Sequence, residues 1–171
     1  PYVNKVYKKI FDKMDIKYPV VHFRCSDIPM NQVGKRISYY HIPKLESILW
    51  ISKKIKERNY KKIIFLTCDN HRSVKNNKKT CNNLSNSYIN MFKNQNIDVK
   101  IQCESILYDF ATMIYSPLLI SLNASSFSLM AGISKNPNDY ITTNMGVEVD
   151  GKYKLQKEGD WTIYPKEPYL H

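Results

Sequence analysis

Glycine-rich phosphate loops are missing from this 171-residue chain, which has five glycines. Neither G-x-G-x-x-G nor G-x-x-x-x-G-K-[ST] occurs, so the dinucleotide fingerprint and the P-loop are both excluded. No apolar run approaches the ~18 residues needed to span a bilayer, and no signal peptide is recognisable; no membrane span is expected. There is no C-x-x-C. Cys25, Cys68, Cys81 and Cys103 are widely spaced and accompanied by four histidines without paired spacing, so no zinc site is expected. The cysteines read as reduced thiols; Cys25, Cys68 and Cys103 fall in or beside predicted strands, where a thiol acts as a small hydrophobe. That reading favours a reducing, cytoplasmic setting. Internal repeats and low-complexity linkers are also lacking, and the length suits one domain over 1–171.

Acidic residues are scarce: 15 Asp+Glu face 26 Lys+Arg, a net charge of +11. A surface so charged attracts polyphosphates, nucleic acid or anionic lipid. The same excess arises from the joint Lys, Asn, Ile and Tyr bias of an AT-rich gene, and composition does not separate the two causes.

What is present alternates. Apolar residues at helical spacing predict a helix over Tyr2–Met14. Val20–Arg24 is a short β-branched strand, and 25–42 is a polar loop. Pro43 suits the first turn of a helix whose buried face is Leu45, Ile48, Leu49, Ser52 and Ile55. "KKIIFLTCDN" (Lys61–Asn70) is continuously apolar at its centre, as expected of a strand covered on both faces. The basic stretch Asn70–Lys79 reads as an exposed loop. A helix near Cys81–Asn94, a strand Val99–Cys103, a helix Ser105–Ser116, a strand Leu118–Leu122 and a helix opening at Ser125–Ser126 follow. Asp139–Asn144 is a strand, and Val147–Leu155 a hairpin with an Asp-Gly turn. The alternation predicts an α/β, Rossmann-like three-layer domain with a mostly parallel sheet, plus a small C-terminal β-hairpin and tail over 145–171.

Ligands of such sheets bind beyond the carboxyl ends of the strands. The first strand end offers His22, Arg24 and Asp27 in "VVHFRCSD"; the second offers Thr67, Cys68 and Asp69. The fourth leads into "SLNASSFS" (Ser121–Ser128), a hydroxyl-rich helix start. A helix N-terminus presents unpaired N–H groups to a phosphate, and Ser125, Ser126 and Ser128 add hydroxyls. An arginine grips phosphate with two charge-assisted hydrogen bonds, so Arg24 and this turn together suit a diphosphate. Each has a plainer reading: Ser125 or Ser126 as an N-cap, Asp27 as an Asx-turn, Asp109 as a solvated helix residue. The sequon Asn123-Ala124-Ser125 sits at a strand end, which argues against its use.

"VVHFRCSD" resembles the H-x-R-R-x-D motif of the GT-B fucosyltransferase superfamily, which embraces α1,2-, α1,6- and protein O-fucosyltransferases. "YYHIPKLESI" (Tyr39–Ile48) is similar to the H-P-helix segment of the α1,6 branch. "FLTCDN" looks like the strand ending in S/T-D-D. "YDFATMIYSPLLISLNASSFSLMAG" (Tyr108–Gly132) resembles the D-x-x-x-M-S…N-S-T-F-S-W-W-G-A pattern of the α1,2 branch. Order and spacing agree over about residues 18–135. Cys25 replaces the second arginine and Leu129-Met130 the paired tryptophans.

The resemblance implies the C-terminal, donor-binding half of a GT-B glycosyltransferase. Its nucleotide sugar, GDP-fucose foremost, would be held by His22, Arg24, Asp69, Asp109, Ser125, Ser126 and Ser128. It implies inverting, metal-independent transfer to a glycan or protein hydroxyl, with no cofactor beyond the donor. Arg24 and Asp27 would be the catalytic pair, Arg24 on the β-phosphate. Asp27, whose pKa a nearby guanidinium would depress, orients the acceptor rather than abstracting a proton. One predicted helix precedes the first motif, so a separate acceptor-binding domain is expected. The lack of Asp-x-Asp speaks against metal-held diphosphate chemistry. The rival readings are a sugar-nucleotide binder without catalysis and a basic nucleic-acid-binding protein.

Overall fold

The computed structural model describes residues 15–25, 45–68, 78–123, 125–143, 147–149, 152–154 and 161–163. The helix expected over Tyr2–Met14, the loop carrying Asp27, the residue Asp69 and the Asp-Gly turn lie outside them.

Five parallel strands form the sheet: β1 (Val20–His22), β2 (Lys62–Leu66), β3 (Asp98–Gln102), β4 (Leu119–Ser121) and β5 (Tyr140–Thr143), in spatial order β3-β2-β1-β4-β5. The register sets Val21 beside both Phe65 and Ile120, and His22 beside Leu66 and Ser121. Side chains of period two divide between the faces. Val21, Ile63, Phe65 and Ile120 join one apolar cluster; Val20, Ile64, Leu66 and Leu119 join the other. That division explains why these strands read as continuous apolar runs.

Helices cover both faces. Ile48, Ile51 and Ile55 of α1 (Leu45–Glu57) and Tyr88, Ile89 and Phe92 of α2 (Lys78–Asn94) fill the first cluster. Met113 of α3 (Ile106–Tyr115) and Ala131 of α4 (Ser126–Ile133) fill the second, with Phe110 and Phe127 packed against it. The fold is therefore the expected α/β, three-layer, Rossmann-like arrangement.

Few glycines mean that other residues must end the helices. Asn59 and Asn96 take positive φ of 63° and 57°. Tyr60 N–H then reaches Ile55 O at 3.2 Å and Asn59 N–H reaches Lys56 O at 2.8 Å; Ile97 to Phe92 O (3.1 Å) and Asn96 to Lys93 O (2.8 Å) repeat the pattern. Both are Schellman ends, with asparagine where glycine is commonest. Each turns the chain straight into β2 or β3.

Three expectations are corrected. β1 is shorter than Val20–Arg24, because beyond His22 the chain leaves the ladder. The C-terminal tail adds β8 (Trp161–Ile163), antiparallel on β5, beside the expected hairpin of β6 (Val147–Val149) and β7 (Lys152–Lys154). The cysteines are not reduced thiols: Cys25 pairs with Cys81 and Cys68 with Cys103, at Cα separations of 5.6 and 5.1 Å. Such pairing does not fit a reduced cytoplasmic state. The cysteines lie far apart in sequence but converge at the strand ends. Among the described residues no helix is long and apolar enough to cross a membrane.

Candidate functional site

Strand order reverses between β1 and β4. From β1 the chain goes outward to β2, and from β4 outward to β5, so their carboxyl ends flank the crevice where open α/β sheets bind ligands. Arg24 leaves one of these strands and the serine turn leaves the other.

Asn123 joins them. Its side-chain Oδ1 accepts from Arg24 N–H at 3.0 Å, and its Nδ2 donates to Arg24 O at 2.5 Å. A planar amide here stands in for a peptide unit and extends the β1–β4 ladder by one step after Leu122 N–H has bonded His22 O at 2.9 Å. Asn123 is fully buried, so the backbone of Arg24 is held where the helix begins. The sequence marks Asn123 only as the first residue of a sequon within the quoted motif. The available signal is an amide residue between an apolar strand and a run of serines.

The serines divide by role. Ser125 is the N-cap of α4, extended at φ −149° and ψ 122°, and its hydroxyl makes no capping bond. Ser126 is exposed at the first helical position. Ser128 is fully buried; its hydroxyl lies 2.7 Å from that of Ser121 and donates to Ser125 O at 3.2 Å. Ser121 in turn donates to Asn123 O at 2.7 Å. This hydroxyl chain ties the end of β4 to the first turn of α4.

His22 is buried beneath the crevice, with its ring edge-on to Phe127 at 6.0 Å. Among the described residues its Nδ1 has no hydrogen-bond partner. Burial, reinforced by the Arg24 charge, lowers its pKa to about 4, so the ring is neutral at pH 7. The neighbouring Phe127 and Phe110 rings lie 5.2 Å apart and floor an open groove of about 520 Å³ completed by Ile106, Leu107, Ser126 and Met130.

Asp109 is buried in the first turn of α3 rather than solvated. It accepts from Gln102 Nε2 at 2.9 Å and from Glu104 N–H at 3.1 and 3.3 Å. Its carboxylate thus fixes the path from β3 into α3, whose N-cap Ser105 accepts from Tyr108 N–H at 3.2 Å. His22, Arg24, Ser125, Ser126 and Ser128 come together at the β1–β4 crevice; Asp109 stands at the β3 exit. Asp27 and Asp69 lie outside the described residues. Among the described residues no three His, Cys, Asp or Glu side chains are grouped to hold a metal ion.

No protein-family model matches the chain. No curated protein matches it either. Among solved structures, a crystal structure of POFUT1 in complex with GDP is similar at 14% identity, covering 79% of this chain and 44% of that chain, with a TM-score of 0.45. One in complex with GDP-fucose is similar at 13% identity over 80% of this chain and 42% of that chain, with a TM-score of 0.44. The chain therefore spans less than half the length of these structures.

Proposed function

We propose that this chain is the donor-binding half of a GT-B, fucosyltransferase-like glycosyltransferase, which binds a nucleoside diphosphate sugar, GDP-fucose foremost. The observation that carries the reading is the meeting of Arg24 and the α4 N-terminus at the strand-order reversal, tied by Asn123. In this reading the Arg24 guanidinium holds the β-phosphate. The first N–H groups of α4 and the Ser125 and Ser126 hydroxyls take the remaining phosphate oxygens. Ser128 shapes the turn. The neutral His22 ring lies beneath the crevice, where its Nδ1, without a hydrogen-bond partner among the described residues, is the acceptor or donor for a nucleotide that reaches it. Asp69 would contact the nucleoside, and Asp109 fixes the α3 start.

An acceptor hydroxyl on a glycan or protein attacks C1 of the sugar, with inversion, as the diphosphate leaves. The charge growing on the leaving phosphate is what Arg24 and the helix end stabilise; one preorganised donor in a comparable site is worth about 3–4 kcal/mol. Asp27 orients the acceptor. The reaction uses no metal and no cofactor beyond the donor, and an acceptor-binding domain completes the cleft.

Calorimetry with GDP tests the reading. The wild-type chain binds, and Arg24→Ala loses at least about 100-fold, the equivalent of one such donor, while its circular dichroism is unchanged. Undiminished GDP affinity in that variant removes the assignment. A thermal-shift panel of GDP, UDP, CDP and TDP sugars identifies the donor, since ligand at 100 times its Kd stabilises by about 2.7 kcal/mol.

A further inference from the structure

A second cavity, of about 310 Å³, opens at the carboxyl ends of β2 and β3, and both disulfides line it: Cys25, Cys81, Cys68 and Cys103, with Asn82 and Ser85 of α2 beside them. The two disulfides differ in access. Cys25 and Cys81 are each 3% exposed, whereas Cys103 is exposed and Cys68 half-buried. Exchange with an external thiol follows access to the sulfur attacked, so Cys103 is where it starts.

Cys68 also touches the α3 start: its Sγ lies 3.6 Å from Asp109 Oδ2. Cys103 directly precedes Glu104, whose N–H that same carboxylate holds at 3.1 Å. We propose that the Cys68–Cys103 disulfide is a redox switch, reduced through this cavity by a dithiol, that sets the conformation of the turn from β3 into α3. One thiolate of the dithiol attacks Cys103 Sγ. A mixed disulfide forms, the Cys68–Cys103 bond breaks, and Cys68 leaves as a thiolate that takes a proton from water. The second thiolate of the dithiol then attacks its own sulfur in the mixed disulfide. Cys103 leaves, is protonated, and the reductant departs as its cyclic disulfide, two electrons having passed to the protein.

In the oxidised state Cys68 has no proton to offer Asp109. In the reduced state its S–H becomes a new donor to the Asp109 Oδ2 that also accepts from Glu104 N–H, and the covalent tie between the β2 and β3 exits is gone. Loss of that tie loosens residues 103–109. Ile106 and Leu107 of that segment line the open groove beside Ser126, so the switch reaches the donor crevice; this last step rests on the function proposed above.

Graded reduction with dithiothreitol, alkylation with mass mapping, and amide exchange test it on the whole chain. Cys68 and Cys103 are labelled first. In that two-thiol form the Glu104 amide exchanges at least about tenfold faster while the Val20 and Leu122 amides do not change. A Cys68→Ser, Cys103→Ser double variant shows the fast exchange without reductant. Initial labelling of Cys25 or Cys81, or unchanged Glu104 exchange in wild-type two-thiol protein, overturns the switch. GDP affinity, measured on the same samples, falls by 5- to 150-fold, roughly the range of coupled sites. Equal affinity in the two forms overturns its control of the crevice. GDP binding by neither form counts against the proposed function, and the exchange measurement then decides the switch by itself.

Discussion

A histidine that must stay neutral makes folding sensitive to acid. The His22 pKa is about 4 in the folded chain against an ordinary 6.5, because burial disfavours the imidazolium and Arg24 adds repulsion. Above pH 6.5 the ring is neutral in both states and costs nothing. Below that value the unfolded chain takes up the proton first, so stability falls with pH until the folded value is passed, a loss of about 3 kcal/mol. His22→Phe flattens denaturant midpoints between pH 6.5 and 4; an equally steep decline in that variant overturns the account. Asn123 makes a second test. Asn123→Ala removes both part-buried side-chain hydrogen bonds to the Arg24 backbone and costs about 1–3 kcal/mol, read by urea unfolding. His22, Arg24 and the serines stood out in the sequence as polar groups where apolar runs end. The role of Asn123 did not, because an amide acts as a strand extension only when its partner, here 99 residues away, is in place. The burial of Asp109 was hidden likewise, since Gln102 and Glu104 supply the hydrogen bonds that make a buried carboxylate tolerable. The disulfides are not legible in the sequence, because separations of 56 and 35 residues reveal nothing about convergence at the strand ends.

At Gly132, α4 comes close against the first residue of β5. A Cβ added at Gly132 would stand 2.4 Å from the Tyr140 ring, a buried side chain with a sheet behind it. Gly132→Ala therefore forces the helix off the sheet and destabilises by about 1–3 kcal/mol, as overpacking does; a Tm equal to wild type would show that the helix can slide. At its far end α4 hands over to Lys135, whose Nζ donates to the last carbonyls of α3, those of Met113, Ile114 and Ser116. Burial draws that lysine's pKa down to about 8, yet the helix dipole and three acceptors favour the ammonium there. The strands and helices around these contacts were readable because apolar period and helix-start serines survive in a single sequence. β8 was not, since the alternation Trp161-Thr162-Ile163 is too short to establish a period and its pairing with the edge of β5 is a tertiary contact. Chain shortening at β1 was equally hidden: the ladder stops where Asn123 takes over, a tertiary event.

For the molecule as a whole the question is whether net charge or a pocket governs anion binding. A field from +11 charges acts on any polyanion and is screened over about 8 Å at physiological salt. A single strand neutralising about six charges loses roughly 300-fold in affinity between 50 and 200 mM salt, from the release of its counterions. GDP has only its short diphosphate to exchange counterions, and the directed hydrogen bonds of the partly buried β1–β4 crevice are screened less than surface charges. Its affinity is expected to fall less than about tenfold over the same range. Arg24→Ala then separates the two modes. It lowers GDP affinity at least about 100-fold but lowers the salt slope for a polynucleotide by about one charge at most. If both ligands weaken in parallel with salt and ignore Arg24, the positive surface alone accounts for binding, and the crevice at the strand-order reversal has no part in it.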